Sequence, residues 1–136
     1  MNILNVPASE VEKKKQEYDS DNVTDKLDLF FKIGRDYMKK YKTEKVNIHS
    51  KEGQEQLRKI IFALTEELYE FANVLKNKSW AEEEYPVDEE HMTEEICDCW
   101  AFFIQLLLML GFDGKSFQDT YIKKLVVNEF RLRSKY

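Results

Sequence analysis

The chain has 136 residues, of which 43% are hydrophobic and 35% are charged. That length favours a single domain, which can bury a core without a metal or disulfide staple. The 21 basic and 26 acidic residues leave a net charge of -5, and this argues against a general nucleic-acid binder because phosphate affinity needs clustered surplus Lys and Arg. Four Gly and two Pro are too few for the turns of a many-stranded sandwich or barrel, so the composition predicts an all-α fold.

The chain begins with a polar segment and then becomes periodic. Residues 1–10 lack the basic and apolar regions of a signal peptide. We expect residues 1–22 to form a loose arm or a short helix before one domain over residues 23–136. Helical spacing starts after Thr24, a candidate N-cap, and runs to about Lys42. Ser50 is placed to cap a second helix. The core stripe predicted for that helix comprises Leu57, Ile61, Leu64, Leu68, Phe71 and Leu75.

Two more helices follow a break that contains Pro86. The third is expected from about Asp88 to Leu110, and its second half is apolar on every side, as is typical of a central buried helix. A fourth should run from Lys115 to about Lys135. The side chains expected to face inward from it are Phe117, Tyr121, Leu125 and Leu132. The pattern predicts a bundle of four to five helices.

The longest apolar stretch, Trp100 to Leu110, is far too short to cross a membrane. Cys97 and Cys99 are the only cysteines, and two residues apart on a helix they point away from each other, so no internal disulfide is expected. These features predict a cytoplasmic protein with neither a membrane nor a nucleic acid as partner.

Acidic residues with helical spacing occur at two places. Glu66, Glu67 and Glu70 stand within one turn of the second helix, and Glu95 and Asp98 stand one turn apart on the third. If the two helices pack side by side, four carboxylates point into one cleft, where like charges are hard to keep ionised without cations. Oxygen ligands of this kind suit Mg²⁺. The sequence predicts a metal site between the two central helices.

The acidic residues have two other interpretations, a solvated helix face and a di-iron site. Charged residues on helices are most often a solvated face. A di-iron site also uses carboxylates from facing helices, but it needs Glu-x-x-His twice, and here Glu67 is followed at i+3 by Glu70 and Glu95 by Asp98. His91 is more simply explained as a surface or capping residue.

On the fourth helix, Lys124, Asn128 and Arg131 share one face, which fits either phosphate binding or an ordinary basic surface.

The acidic pattern resembles a known signature. Glu66-Glu67-x-x-Glu70, followed after 24 residues by Glu95-x-x-Asp98, is similar to the EExxE…ExxD motif of the all-α nucleoside triphosphate pyrophosphatases, the MazG-like superfamily. Three segments of the chain resemble the dimeric dUTPase branch of this superfamily, which is found in phages, some bacteria and trypanosomatids. They are Glu67 to Asn73, the following Lys78-Ser79-Trp80, and the C-terminal Tyr121-x-x-Lys124-x-x-x-Asn128-x-Phe130-Arg131 with Tyr136. The resemblance covers residues 57–136.

The resemblance implies a role for each matching residue. Four carboxylates would hold Mg²⁺, for which Mn²⁺ is a possible substitute: Glu67, Glu70, Glu95 and Asp98. Glu66 or Glu67 would hold and polarise the attacking water. The residues expected at phosphate oxygens are Lys78, Tyr121, Lys124, Arg131 and Tyr136. Those expected at the base or sugar are Asn73, Trp80 and Asn128.

The implied protein is a homodimeric, magnesium-dependent enzyme that converts dUTP and water to dUMP and pyrophosphate. Two alternatives stay open: hydrolysis of dCTP or of deoxynucleoside triphosphates in general, and a non-catalytic regulatory or binding dimer on the same scaffold. Ala101 stands where the branch often has His, and the first helix does not clearly show the polar pattern associated with uracil. Base specificity is therefore the least determined of these expectations.

Overall fold

The structure, a computed structural model, describes residues 5–9, 16, 25–41 and 45–134. Within these ranges every long regular element is a helix and there is no strand. The helices are α1 (Lys26–Lys40), α2 (Lys51–Val74), α3 (Glu89–Met109) and α4 (Gly114–Arg133). The predicted all-α class is confirmed. The predicted arm over residues 1–22 falls mostly outside the described residues, and so does Thr24.

Each of the four helices begins at a side-chain cap. The Ser50 hydroxyl accepts from the Gly53 N–H at the start of α2, and the Asp88 carboxylate accepts from the His91 N–H at the start of α3. Asp113 and Ser116 form a reciprocal capping box on α4. The cap of α1 is Asp25, one residue after the predicted Thr24. Because these side chains satisfy N–H groups that have no partner within the helix, they fix where each helix begins.

Helix α3 is the central helix, as its apolar second half predicts. It packs along α2 on one side and against α1 on another, while α4 contacts α1. The buried cluster at these contacts consists of Phe31, Met38, Val46, Ile104, Leu107, Leu108 and Met109. Most of these side chains belong to α3, so this helix supplies the greater part of the core.

Two glycines set the path of the chain around α3. At Gly34, a β-carbon would lie 2.7 Å from Ile104 Cγ2 and 2.9 Å from Leu108 Cδ1. The missing side chain therefore allows α1 to approach α3 closely. Gly111 has φ of 87°, a left-handed conformation that glycine adopts without a steric penalty, and it turns the chain from α3 toward α4.

The inward faces of α2 and α4 differ from the prediction. On α2, Leu57, Leu64 and Phe71 are partly buried, but Ile61, Leu68 and Leu75 are exposed. The helix instead completes its inner face with Ile60, Ala63, Glu67 and Val74. The predicted stripe combined residues of two different faces of α2, because apolar residues recur at a spacing of seven on each of them. On α4, Phe117 is partly buried, but Tyr121, Leu125 and Leu132 are exposed, because no described segment covers this part of the helix.

None of the helices in the described part of the chain is both long and apolar enough to cross a membrane. Helices α3 and α4 would satisfy that criterion only as a pair, and they are bent by 96° at the turn between them.

Candidate metal centre

The predicted carboxylates meet where α2 packs against α3. Glu67 lies on the inner face of α2, and Glu95 and Asp98 lie one turn apart on α3. One carboxylate oxygen of each residue is within 4.8 Å of those offered by the other two. The three side chains form what we call the acidic cluster, and they range from buried Glu95 through half-buried Glu67 to exposed Asp98. The acidic cluster therefore extends from the interface between α2 and α3 to the solvent.

Glu95 is the buried member of the acidic cluster, with 8% of its surface exposed. Its Oε1 atom lies 3.0 Å from His91 Nε2, one turn earlier on α3. Its Oε2 atom is buried and has no hydrogen-bond partner among the described residues. A buried carboxylate oxygen without a partner is costly, and a bound cation would satisfy it.

Electrostatics in the acidic cluster favour protons or cations. Burial raises the pKa of the Glu67 carboxyl, a hydrogen bond to the Glu95 carboxylate raises it further, and the charges of Asp98, Glu70 and Glu95 add to the effect. Cys99 lies buried beside the cluster, and burial together with the charges of Glu67 and Glu95 raises the pKa of its thiol. The raised pKa favours the neutral form of the Cys99 thiol, a weak metal ligand, so among the described residues the cluster offers carboxylate oxygens to a cation.

Two clefts flank the acidic cluster. The polar cleft, of about 420 Å³, lies between the end of α2 and the start of α3. It is lined by Glu70, Asn73, Val74, Lys76, Pro86, Asp88 and His91. Because His91 lines this cleft and also contacts Glu95, the polar cleft adjoins the cluster.

The aromatic cleft, of about 400 Å³, lies between α1 and α3. Its walls include Phe30, Tyr37 and Trp100, and the rings of Phe30 and Trp100 meet edge to face at 5.6 Å between centroids. Asp98 belongs both to this wall and to the acidic cluster. A flat apolar group in the aromatic cleft would therefore lie next to the carboxylates.

The structure brings together only some of the residues predicted for the site. Three of the four predicted metal ligands form the acidic cluster, whereas Glu70 lies in the polar cleft with Asn73. Glu66 is exposed on α2. The remaining described residues are exposed and line neither flanking cleft: Lys78, Trp80, Tyr121, Lys124, Asn128 and Arg131. Tyr136 lies outside the described residues.

The sequence interpretation missed His91 as a neighbour of the acidic cluster. The N–H of this residue is indeed held by the Asp88 cap, as expected for the first turn of a helix, but its ring also reaches Glu95. The i, i+4 spacing of His91 and Glu95 was the available signal, since such residues are neighbours on a helix. The aromatic cleft was missed as well, because helical spacing does not show that Phe30 and Tyr37 line a cleft between two helices.

The geometry of the acidic cluster fits a divalent cation. Two oxygens bound to one Mg²⁺ at 2.0–2.1 Å lie about 3 to 4 Å apart, so the separations of up to 4.8 Å would close after small side-chain rotations. Among the described residues the ligand group consists of three carboxylates, with His91 held against Glu95 rather than grouped with them, and such an oxygen set favours Mg²⁺ or Mn²⁺ over zinc. The Oε2 atom of Glu95, which has no hydrogen-bond partner among the described residues, is available to bind such an ion.

Comparisons with known proteins give no relative: no family model matches the chain, and neither curated proteins nor solved structures give a significant match.

Proposed function

We propose that the protein is a magnesium-dependent nucleoside triphosphate pyrophosphatase, with dUTP as its substrate. The observation that carries this proposal is the acidic cluster, in which the buried Glu95 offers an unpartnered oxygen beside Glu67 and Asp98. A triphosphate binds to proteins largely through Mg²⁺ that bridges carboxylates and phosphate oxygens. The two flanking clefts provide space for the substrate on either side of the metal.

The carboxylates have distinct roles in this proposal. Glu67, Glu95 and Asp98 hold the cation, and Glu70, one turn after Glu67, can join them from the polar cleft. A bound Mg²⁺ would supply charge neutralisation at the phosphates and would make the attacking water more acidic. Glu66 or Glu67 would orient the attacking water and accept its proton, a role that a carboxylate within hydrogen-bond reach of the water can fill.

The aromatic cleft is the proposed site of the nucleobase. Phe30, Tyr37 and Trp100 offer ring faces and edges to a planar base, and Asp98 at the edge of the cleft keeps the attached phosphates near the cation. Ala101 also lines this cleft, at the position where the dimeric dUTPase branch often carries His. Alanine offers no side-chain hydrogen bond that could distinguish the O4 acceptor of uracil from the amino donor of cytosine, so dCTP and other deoxynucleoside triphosphates are the alternative substrates.

The phosphate-binding residues are only partly accounted for within one chain. Lys76 lines the polar cleft, whereas Lys124 and Arg131 are exposed on α4. We propose that the protein acts as a homodimer, in which residues of α4 approach the substrate of the partner subunit. Arg131 can bind two phosphate oxygens through its planar guanidinium, and Lys124 adds a compact charge.

The test is hydrolysis of a nucleotide panel in Mg²⁺. dUTP, dCTP, dTTP, dATP, dGTP and the ribonucleotides are incubated with the protein, and the released pyrophosphate is converted to phosphate for colorimetric detection. Turnover of dUTP, abolished by EDTA and restored by Mg²⁺ or Mn²⁺, supports the proposal, while equal turnover of dCTP assigns the broader specificity. A folded sample that hydrolyses none of the nucleotides refutes it.

A non-catalytic nucleotide-binding dimer is the second candidate. The exposed positions of Lys124, Asn128 and Arg131 on α4 favour it, because a scaffold that only binds does not need all phosphate contacts in place. Mg²⁺-dependent thermal stabilisation by a nucleotide, without release of pyrophosphate, would select this function over the enzyme.

A further inference from the structure

Gln105 is the only polar residue in the apolar second half of α3. Every other residue from Trp100 to Leu110 is apolar. Gln105 is half-buried, and no hydrogen bond joins its side chain to another of the described residues. A carboxamide has two N–H donors and an oxygen acceptor, and leaving such groups without partners at a partly buried position costs free energy. The amide of Gln105 is therefore left to pair with water or with a ligand.

Gln105 lies at the far end of the aromatic cleft from the acidic cluster. It lines this cleft together with Asp98 and Ala101 of the same helix. Because seven residues make just under two helical turns, Asp98 and Gln105 share one face of α3 and lie about 10 Å apart along its axis. That spacing leaves room for a sugar and a base between a phosphate near Asp98 and the amide of Gln105.

The other polar groups of the aromatic cleft are already engaged or are weak. Asp98 belongs to the acidic cluster. The Tyr37 hydroxyl is hydrogen-bonded to Tyr41, and this contact raises the pKa of Tyr37. Cys97 offers a thiol, which is a weak donor and a weak acceptor. Among the described residues that line the cleft, Gln105 thus supplies the side-chain donor and acceptor that are both strong and uncommitted.

We propose that Gln105 recognises the nucleobase, its amide forming hydrogen bonds to the base at N3 and at the group on C4. This inference rests on the proposed function, since it names the residue that reads the base in the cleft already assigned to it. Phe30 and Trp100 in the cleft wall contact the faces or edges of the ring, whereas Gln105 contacts its polar edge.

The chemistry of a carboxamide determines which bases this contact accepts. With uracil, Nε2–H of Gln105 donates to O4 and Oε1 accepts from N3–H. Cytosine has an acceptor at N3 and an amino donor on C4, and the same amide turned by 180° matches them. No described residue holds the Gln105 amide in one orientation. The contact therefore selects this edge of a pyrimidine, in dUTP or in dCTP, and excludes a base whose N3 is blocked.

Gln105 also lines a third cleft, of about 550 Å³, formed by the segment before α2 and by parts of α2 and α3. This cleft includes Gln56 and Lys59. No described residue that lines it is aromatic, so a base would have no ring to stack on there. The aromatic cleft is the better place for a base, and Gln56 provides a control for the third cleft.

The first experiment uses the wild-type chain and compares dUTP with N3-methyl-dUTP in Mg²⁺. The methyl group removes the N3–H donor and occupies the space in front of Oε1 of Gln105. We expect kcat/KM to be about 10- to 100-fold lower for N3-methyl-dUTP, because a site that hydrogen-bonds a substrate group rejects an analogue without it. This ratio requires no variant, so it tests the proposal even if a substitution at Gln105 prevents folding.

The second experiment repeats the comparison with Gln105→Met, which keeps the length of the side chain and removes the amide. We expect kcat/KM for dUTP to fall about 10- to 100-fold, and N3-methyl-dUTP to be used about as well as dUTP. Inorganic triphosphate, which has no base, should inhibit the variant and the wild type equally. Gln56→Met, the same change at an exposed position of the third cleft, should keep the wild-type ratio.

Three results would overturn the assignment of Gln105. One is equal use of dUTP and N3-methyl-dUTP by the wild type. Another is a Gln105→Met variant that loses activity on both substrates by the same factor, since a purely structural role would have that effect. The third is a Gln56→Met variant that loses the preference for dUTP, which would place the base in the third cleft.

Failure of the proposed function is distinguishable from failure of this inference. If the chain binds dUTP without hydrolysing it, the pyrophosphatase activity is refuted, and the same ratios taken from dissociation constants decide the role of Gln105. If dUTP is hydrolysed and the ratios do not change in Gln105→Met, the enzyme stands and the role of Gln105 is refuted. A folded chain that neither binds nor hydrolyses these nucleotides refutes both.

Discussion

Helices α3 and α4 are similar in length and both are rich in apolar residues, but they differ in how many of these residues are buried. In α3 the side chains of Ile104, Leu107, Leu108 and Met109 are buried between α1 and α2. In α4 every residue from 121 to 133 is exposed, including Leu125 and Phe130. An apolar pattern thus shows that a helix face has an affinity for apolar surface, but not what provides that surface.

The metal-binding and phosphate-binding parts of the proposed site differ in the same way, because one lies on packed helices and the other on the exposed helix α4. The acidic cluster lies on α2 and α3, whose contact is complete within one chain, so the carboxylates are positioned by packing that already exists. Lys124 and Arg131 lie on α4, where no described neighbour fixes their direction. The metal-binding part of the site can therefore be tested on single side chains, whereas the phosphate-binding part depends on what α4 contacts.

The largest expected effect is on the acidic cluster. Asp98→Asn removes one anionic ligand while keeping its size, so we expect nucleotide hydrolysis in Mg²⁺ to fall by about a thousandfold, equivalent to about 4 kcal/mol of transition-state stabilisation. Glu94→Gln, an exposed position on the same helix outside the cluster, is the matched control and should keep its activity. Activity in Asp98→Asn close to that of the control would remove this residue from the site.

The second prediction compares the two helices by stability. Met109 on α3 is 1% exposed and Leu132 on α4 is 80% exposed. Met109→Ala leaves a cavity in the core, and we expect the free energy of unfolding to fall by about 2–5 kcal/mol. Leu132→Ala should change it by less than about 0.5 kcal/mol. Urea unfolding measures both; a large loss in Leu132→Ala would show that α4 is buried in solution.

Much of the fold was predictable because local signals and packing agree. The cap at Ser50, the break at Pro86 and the turn at Gly111 mark helix ends whose chemistry is local. The buried second half of α3 follows from a run of residues that is apolar on every side. The faces of α2 were not predictable, since two apolar stripes lie on that helix and the sequence does not say which one meets α3.

The acidic cluster was predictable in outline for a similar reason. The i, i+3 spacings place Glu95 and Asp98 on one face of α3, but only the rotation of α2 decides that Glu67 joins them and that Glu70 points into the polar cleft. The contact between His91 and Glu95 depends on a side-chain rotamer. The aromatic cleft required knowing how closely α1 approaches α3 at Gly34.

The third prediction concerns His91 as a positioning residue. Its contact with Glu95 Oε1 leaves Oε2 free for a cation, and loss of a group that orients a metal ligand typically lowers affinity 10- to 100-fold. We expect His91→Ala to weaken Mn²⁺ binding by about that factor, measured by electron paramagnetic resonance without any nucleotide. His49→Ala, at an exposed loop position, should bind Mn²⁺ normally. Unchanged or tighter binding in His91→Ala would show that the histidine does not position Glu95.

The smallest expected effect is on the stability of the metal-free protein. Burial and neighbouring carboxylates raise the pKa of Glu67 above its ordinary value of 4.5, so the folded state binds this proton more tightly than the unfolded state does. The contribution of Glu67 to stability is therefore complete below about pH 4.5 and is lost as the pH rises through the folded-state pKa. Glu67→Gln should raise the melting temperature in EDTA at pH 8.

The advantage of Glu67→Gln in EDTA should shrink as the pH falls toward 4.5, because the wild-type carboxyl is then protonated and resembles the amide. Glu66→Gln, at an exposed position on the same helix, should give no comparable pH-dependent difference. With excess Mg²⁺ the order reverses, since a cation that binds only the folded wild-type protein stabilises it. If Glu67→Gln melts below the wild type in EDTA at pH 8, then Glu67 makes a stabilising contact as an anion, and the repulsion assigned to the acidic cluster is wrong.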